Sequence, residues 1–193
     1  VSLARAVTDR VEDLTDAVKG AAAPLTGDIR MGVISTISPF LLPRVLPGLR
    51  EAHPSLRLYL REEKTASLLR QLADGDLDTV LMALPYKTEK VDVFEFADDP
   101  FLIVFPRGQA MEKFETVTPA RLKGEALLVM EEGNCLTDQT LAMGNLSERV
   151  ERSQFHASSL HTLVQMVDNG LGLTILPKMA VDAGILRGLK LNF

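Results

Sequence analysis

The chain has 193 residues, 46% of them hydrophobic and 24% charged, the balance of a globular protein with enough length for one domain or two small ones. Its formal charge of −5 argues against holding nucleic acid by itself, its single cysteine excludes an internal disulfide, and no apolar run is long enough to span a bilayer. These features predict a soluble protein of the reducing cytoplasm.

The first segment reads as a helix: Leu3, Val7, Val11, Leu14 and Val18 recur every three or four residues. So narrow an apolar seam suits either pairing with another helix or packing on the chain's own domain. It opens without a start signal, and "GLKLNF" closes on a strand-like alternation. We therefore expect a domain before Val1 and a further segment after Phe193.

After a short linker, Ala21 to Gly27, "DIRMGVIS" alternates so that Ile29, Met31 and Val33 share one face of a strand. Ser38 as N-cap and Pro39 at the first helical position open a helix through Leu42, Val45, Leu46 and Leu49. Pro47 should kink it and Pro54 stop it. "SLRLYLR" is a strand with Leu56, Leu58 and Leu60 inward, and "TASLLRQLADG" a helix capped by Thr65 or Ser67 and ended at Gly75. "LDTVLMAL" is apolar throughout, as a central parallel strand is. The order β-α-β-α-β with short loops predicts a doubly wound parallel sheet.

A second sheet is expected after "ADDP". "FLIVFPRG" and "ALLVM" are strands, and Thr118 and Pro119 open a short helix between them. A helix through Leu146 and Val150 follows, then the strand "SQFHASS". Ser158 caps a helix carrying Leu160, Leu163, Val164 and Val167, "LGLTILP" is a strand, and "MAVDAG" a last helical turn. The predicted fold class is α/β. Two doubly wound, Rossmann-like subdomains (27–96 and 97–193) face each other across a cleft, preceded by a linker helix (1–20).

Ligands of open α/β sheets bind beyond the carboxyl ends of the strands, where helix N-termini present free N–H groups. "STISP", "EEKTAS" and "EEGNCLTDQ" occupy that position, so Thr36, Thr65 and Cys135 would converge on the cleft. Each threonine alone is equally a cap or turn residue. Cys135 lies just before a helix that Thr137 or Asp138 could cap; a helix N-terminus lowers a thiol pKa, and an ionised Asp138 nearby would raise it. An inert cysteine in a turn is the other reading of the same residues.

His53, His156 and His161 are too scattered for a metal site, and no cofactor fingerprint is present: "GLGLTI" lacks the third glycine and precedes a strand. The acid pairs Glu62/Glu63, Asp98/Asp99 and Glu131/Glu132 read as solvated turns. No nucleophile elbow, P-loop or zinc-protease motif occurs, so an enzyme is not expected.

Three stretches together resemble the effector domain of LysR-type transcriptional regulators: "IRMGVISTISPFLLPRVLPGLREAHPSLRL", "LLRQLADGDLDTVLMAL" and "LVQMVDNGLGLTILPKMAV". The resemblance covers nearly all of Gly27 to Val181 and implies a periplasmic-binding-protein-like fold. It makes Leu3–Val18 a dimerising linker helix and places a winged helix-turn-helix DNA-binding domain before it. Within the family, "EEGNCLTDQ" is similar to the hydrogen peroxide sensors, whose pattern is approximately G-H-C-L-R-D-Q; Gly133, Cys135, Leu136, Asp138 and Gln139 match. The resemblance implies that Cys135 is the peroxidatic cysteine, that Thr36 and Thr65 hold the peroxide oxygens, and that Asp138 organises the loop. Asn134 and Asp138 complete the implied ligand-binding set.

Asn134 stands where that pattern has histidine, Thr137 where it has arginine, and Gly144 where a resolving cysteine would follow nine residues on. The resemblance therefore implies single-cysteine sensing in a cytoplasmic homodimer or homotetramer that binds DNA through the missing domain, with no cofactor. The alternative is an effector domain that binds a small polar or anionic metabolite between its subdomains.

Overall fold

The computed structural model of the chain describes residues 25–88, 91–114, 116–118, 126–143 and 156–193. The expected linker helix, the helix from Pro119 onward, the helix through Leu146 and Val150, and Gly144 lie outside these residues.

The first half forms β1 (Gly27–Val33), α1 (Ser38–Ala52), β2 (Leu56–Glu62), α2 (Thr65–Ala73) and β3 (Thr79–Leu81). All three strands are parallel, in the order β2-β1-β3, with Met31 opposite Leu60 on one side and Thr79 on the other. The βαβ units thus place both helix N-termini at one edge, as the alternation of elements predicts. β1 alternates between exposed Asp28 and Arg30 and the more buried Ile29, Met31 and Val33.

The α1 N-terminus departs from expectation by one residue. Ile37 is the N-cap, without a side-chain cap, and Ser38 is already helical. The helix continues through Pro43 and Pro47 to Ala52. Both prolines lie on the solvent side, where the carbonyls they free can reach water. Only Phe40 of this helix is buried; Leu42, Leu46 and Leu49 are half-covered, and Val45 is exposed.

The second half forms β4 (Phe101–Pro106), a 3-10 turn (Ala110–Lys113), β5 (Val129–Met130), α3 (Cys135–Ala142), β6 (His156–Ala157), α4 (Leu160–Asp168), β7 (Thr174–Pro177), α5 (Lys178–Asp182) and β8 (Leu191–Asn192). Its strands form a three-stranded sheet, in the order β7-β4-β8, and a two-stranded one, β5-β6. β4 pairs antiparallel with β7 and β8, whereas β5 runs parallel to β6 and Leu127 bridges parallel to Leu173. Alternate residues face opposite layers: Val104, Leu128, Met130 and Leu176 join the core under α4, while Phe105, Leu127, Val129 and Ile175 pack on the other side. Burial on both faces explains why these strands read as unbroken apolar runs.

α4 begins one residue later than predicted. Ser159, not Ser158, is its N-cap and accepts a hydrogen bond from Thr162 N at 3.2 Å. The two halves interlock at two places. Phe40 of α1 joins the core of the second sheet and stacks on His161 at 5.8 Å between ring centroids. Conversely, Cys135 of α3 belongs to the cluster of Ile34, Leu68 and Leu77 in the first half.

Candidate functional site

Cys135 is the first residue of α3, and the helix starts there because Asn134 caps it: Asn134 Oδ1 accepts from Leu136 N at 3.1 Å. Thr137 and Asp138, the caps expected from the sequence, lie inside the first turn. Thr137 instead turns inward and donates from Oγ1 to Met130 O at 3.0 Å, fastening α3 to the end of β5. Before the cap, Glu131 N donates to Ala157 O at 2.9 Å and Asn134 N to Glu131 O at 3.3 Å. Gly133 completes this turn at φ +78, a left-handed conformation that glycine adopts without strain.

The structure brings Thr36, Thr65 and Cys135 together. Thr36 lies in the turn after β1; Thr65, expected as a cap, is instead the first residue of α2 behind Lys64 as N-cap; and all three residues are at least 95% buried. Interactions from the Thr65 hydroxyl, the Leu136 backbone and the Thr36 hydroxyl each favour the thiolate. Burial is the larger effect. Removing the thiol from water raises its pKa above the ordinary value despite these interactions, and the Asp138 carboxylate adds to the rise. The net shift is therefore upward where the helix N-terminus led us to expect a lowering: desolvation in a cluster with Ile34, Leu68 and Leu77 outweighs the hydroxyl and backbone hydrogen bonds. At neutral pH the resting group is the protonated thiol.

The Thr65 hydroxyl interacts with the thiol yet has no hydrogen-bond partner of proper geometry, although the residue is only 1% exposed. A buried, unsatisfied hydroxyl is uncommon in native structures and fits a redox or binding role for the residue. Asn134 and Asp138 are arranged differently. The Asn134 oxygen is committed to its own helix, and Asp138 is exposed and acts on the thiol through its charge.

Sequence reasoning missed Lys64. This residue precedes Thr65, and its Nζ donates to Glu132 O at 2.8 Å and lies 3.8 Å from Glu131 Oε2. No motif signals it, because its partner is a backbone carbonyl. Two of the acid pairs also do more than face solvent: Glu63 accepts from Ser67 and Gln71 of α2, and Asp99 accepts from Met179 N at 2.8 Å at the start of α5. The histidines sit on separate elements, with His53 ending α1, His156 in β6 and His161 in α4. No cluster of metal-ligating side chains occurs among the described residues, and no helix there is long and apolar enough to cross a membrane.

The two α/β halves thus meet around a buried thiol and two buried hydroxyls. Residues 22–191 match the LysR substrate binding domain, and the chain belongs to that family. It is 37% identical over 179 residues to a probable hydrogen peroxide-inducible genes activator of Mycobacterium avium, covering 92% of this chain and 58% of that protein. With the DNA-binding transcriptional dual regulator OxyR of Escherichia coli K12 it shares 36% identity over 181 residues, covering 94% and 59% respectively. The chain thus spans less than two thirds of these relatives. Among solved structures, an H2O2-bound cysteine-to-serine mutant of Corynebacterium glutamicum OxyR aligns with a TM-score of 0.84 and 29% identity, covering 98% of this chain and 60% of that one. The periplasmic-binding-protein-like α/β fold expected from the sequence is that of these regulators.

Proposed function

We propose that the chain is the regulatory domain of a peroxide-sensing transcription regulator in which Cys135 is the redox-active residue. The observation that carries this reading is the unpartnered Thr65 hydroxyl beside the only thiol of the chain. Likeness to peroxide-inducible activators supports the choice of signal. In the reaction, sulfur attacks one oxygen of H2O2, an S–O bond forms and the O–O bond breaks. The leaving hydroxide takes up the proton given by the thiol and departs as water. Sulfur loses two electrons, peroxide gains them, and the product is a sulfenic acid. Thr36 and Thr65 hold the oxygens in line, and their hydroxyls can both donate and accept.

No second cysteine exists in these 193 residues, so the sulfenic acid is the end-point within this chain, or it pairs with an outside thiol. The added oxygen enlarges a side chain packed between the two halves and biases the domain between two arrangements. In this reading residues 1–20 form the dimerising linker and 27–96 and 97–193 the two regulatory subdomains. A winged helix-turn-helix domain outside the chain contacts DNA, and the regulator works in the cytoplasm as a homodimer or homotetramer.

A second reading, binding of a small polar or anionic metabolite in the cleft, draws support from the raised thiol pKa and from Asn134 and Thr137 at the positions of histidine and arginine. Intact-mass spectrometry over seconds after stoichiometric H2O2, with a dimedone trap, separates the two. Sensing requires a rapid, trap-sensitive gain of one oxygen that Cys135→Ser abolishes. A rate no faster than that of free cysteine would sink it and leave the metabolite.

A further inference from the structure

Lys64 links the two backbones that carry the reactive pair. Its carbonyl accepts from Ser67 N at 3.0 Å and Leu68 N at 3.1 Å, so it is part of the N-terminus of α2 and fixes where Thr65 sits. Its side chain crosses to the other half and holds the Glu131–Asn134 turn through the Glu132 carbonyl at 2.8 Å. The stem lies along the turn: a Cβ at Gly133 would stand 3.6 Å from Lys64 Cδ and 3.9 Å from Nζ. The Glu131 carboxylate at 3.8 Å is a weaker, solvent-screened partner. A charge-assisted bond to a carbonyl has both direction and strength, so it defines a spacing as well as an attraction.

We propose that Lys64 is a positioning residue for the oxidation of Cys135: by pinning the Glu131–Asn134 turn to the N-terminus of α2, it sets the spacing between the Thr65 hydroxyl and the thiol. This rests on the peroxide-sensing reading. The role also gives the sensor a non-covalent catch, because the turn cannot leave α2 without breaking the Lys64 bond.

The test uses the 193-residue chain with Lys64→Met, which keeps the stem and removes the donors, and Lys64→Arg, which restores them. Each is followed by the rate of oxidation by H2O2 and the rate of modification by methyl methanethiosulfonate, a small neutral thiol reagent, across pH. Lys64→Met should oxidise about tenfold more slowly, the scale of a small misplacement of reacting groups. It should react faster with the neutral reagent, because the turn is loosened, and the pH midpoint should stay in place. Lys64→Arg should resemble the parent. Equal rates for Met and parent would overturn the proposal. So would a parallel fall in both rates with an upward move of the midpoint, since that is the signature of a lost charge, not of a lost spacing. If the parent thiol ignores peroxide, the sensing reading falls and the positioning role in oxidation falls with it. The catch is then judged by the neutral reagent, where faster modification of Lys64→Met supports it and an unchanged rate rejects it.

Discussion

Thr65 and Cys135 are each the first residue of a helix, one from each half of the chain, and the hydroxyl of the first acts directly on the thiol of the second. The hydroxyl is buried and otherwise unpartnered. Leaving a buried polar group unsatisfied costs roughly 1–3 kcal/mol, and the contact with the thiol offsets only part of that.

Thr65→Val preserves shape and removes the hydroxyl. Unfolding in urea should show a variant as stable as the parent or more stable by about 1 kcal/mol. Stopped-flow oxidation by H2O2 should slow by roughly 10- to 100-fold, the scale of losing one positioned donor. A variant that is both less stable and equally reactive would contradict the assignment.

Burial raises the Cys135 pKa, and this makes stability depend on pH in a defined direction. Between the ordinary thiol value of about 8.5 and the raised folded value, the unfolded chain has released its proton while the folded chain retains it. The contribution is therefore complete below the ordinary value and lost as pH rises through the folded one. By urea unfolding, the parent should lose stability relative to Cys135→Ala as pH rises through that range. Alkylation of the parent by iodoacetamide should accelerate only at pH higher than for a free thiol.

Asn134 caps α3, so Asn134→Ala should cost about 1 kcal/mol. Asn134→Asp keeps an acceptor at the cap and should retain stability. Its charge stands next to the thiol and should raise the Cys135 pKa further, slowing alkylation at fixed pH. The pair of variants thus separates cap strength from thiol reactivity.

Gly172 has φ +154, and a Cβ there would stand 2.3 Å from the Ala126 carbonyl oxygen. The clash is with backbone that holds Leu173 N at 3.0 Å, next to the Leu127–Leu173 bridge. Gly172→Ala should lose about 3 kcal/mol by thermal unfolding. Gly188, at φ +84 with open space around its missing Cβ, provides the control; its alanine variant should lose only about 1–2 kcal/mol.

The strands and helices of the first half are legible because Ile29, Met31 and Val33, or Leu56 and Leu58, obey a period that only one element satisfies, although Leu60, expected inward with them, is exposed. Helix starts are less legible. Ser38 has the chemistry of a cap, but Ile37 takes the place because the chain turns one residue earlier, and Ser159 displaces Ser158 for the same kind of reason. The convergence of Thr36, Thr65 and Cys135 follows from strand order, which topology rules anticipate. The direction of the thiol pKa does not, since it depends on Ile34, Leu68 and Leu77 arriving from a distant part of the chain. Lys64 was hidden because its partner is a peptide carbonyl, which no side-chain pattern announces.

α3 is buried in an unusual way. Besides Cys135 and Leu136, its buried residues are Thr137, Gln139 and Thr140. Lifting this helix from its place would wet hydroxyls and an amide along with the apolar faces of Ile34, Leu68 and Leu77. Polar exposure lowers the heat capacity where apolar exposure raises it, so the displacement should carry a smaller heat-capacity change than its area alone would give. Its free energy would then curve less with temperature than an equal area of purely apolar core.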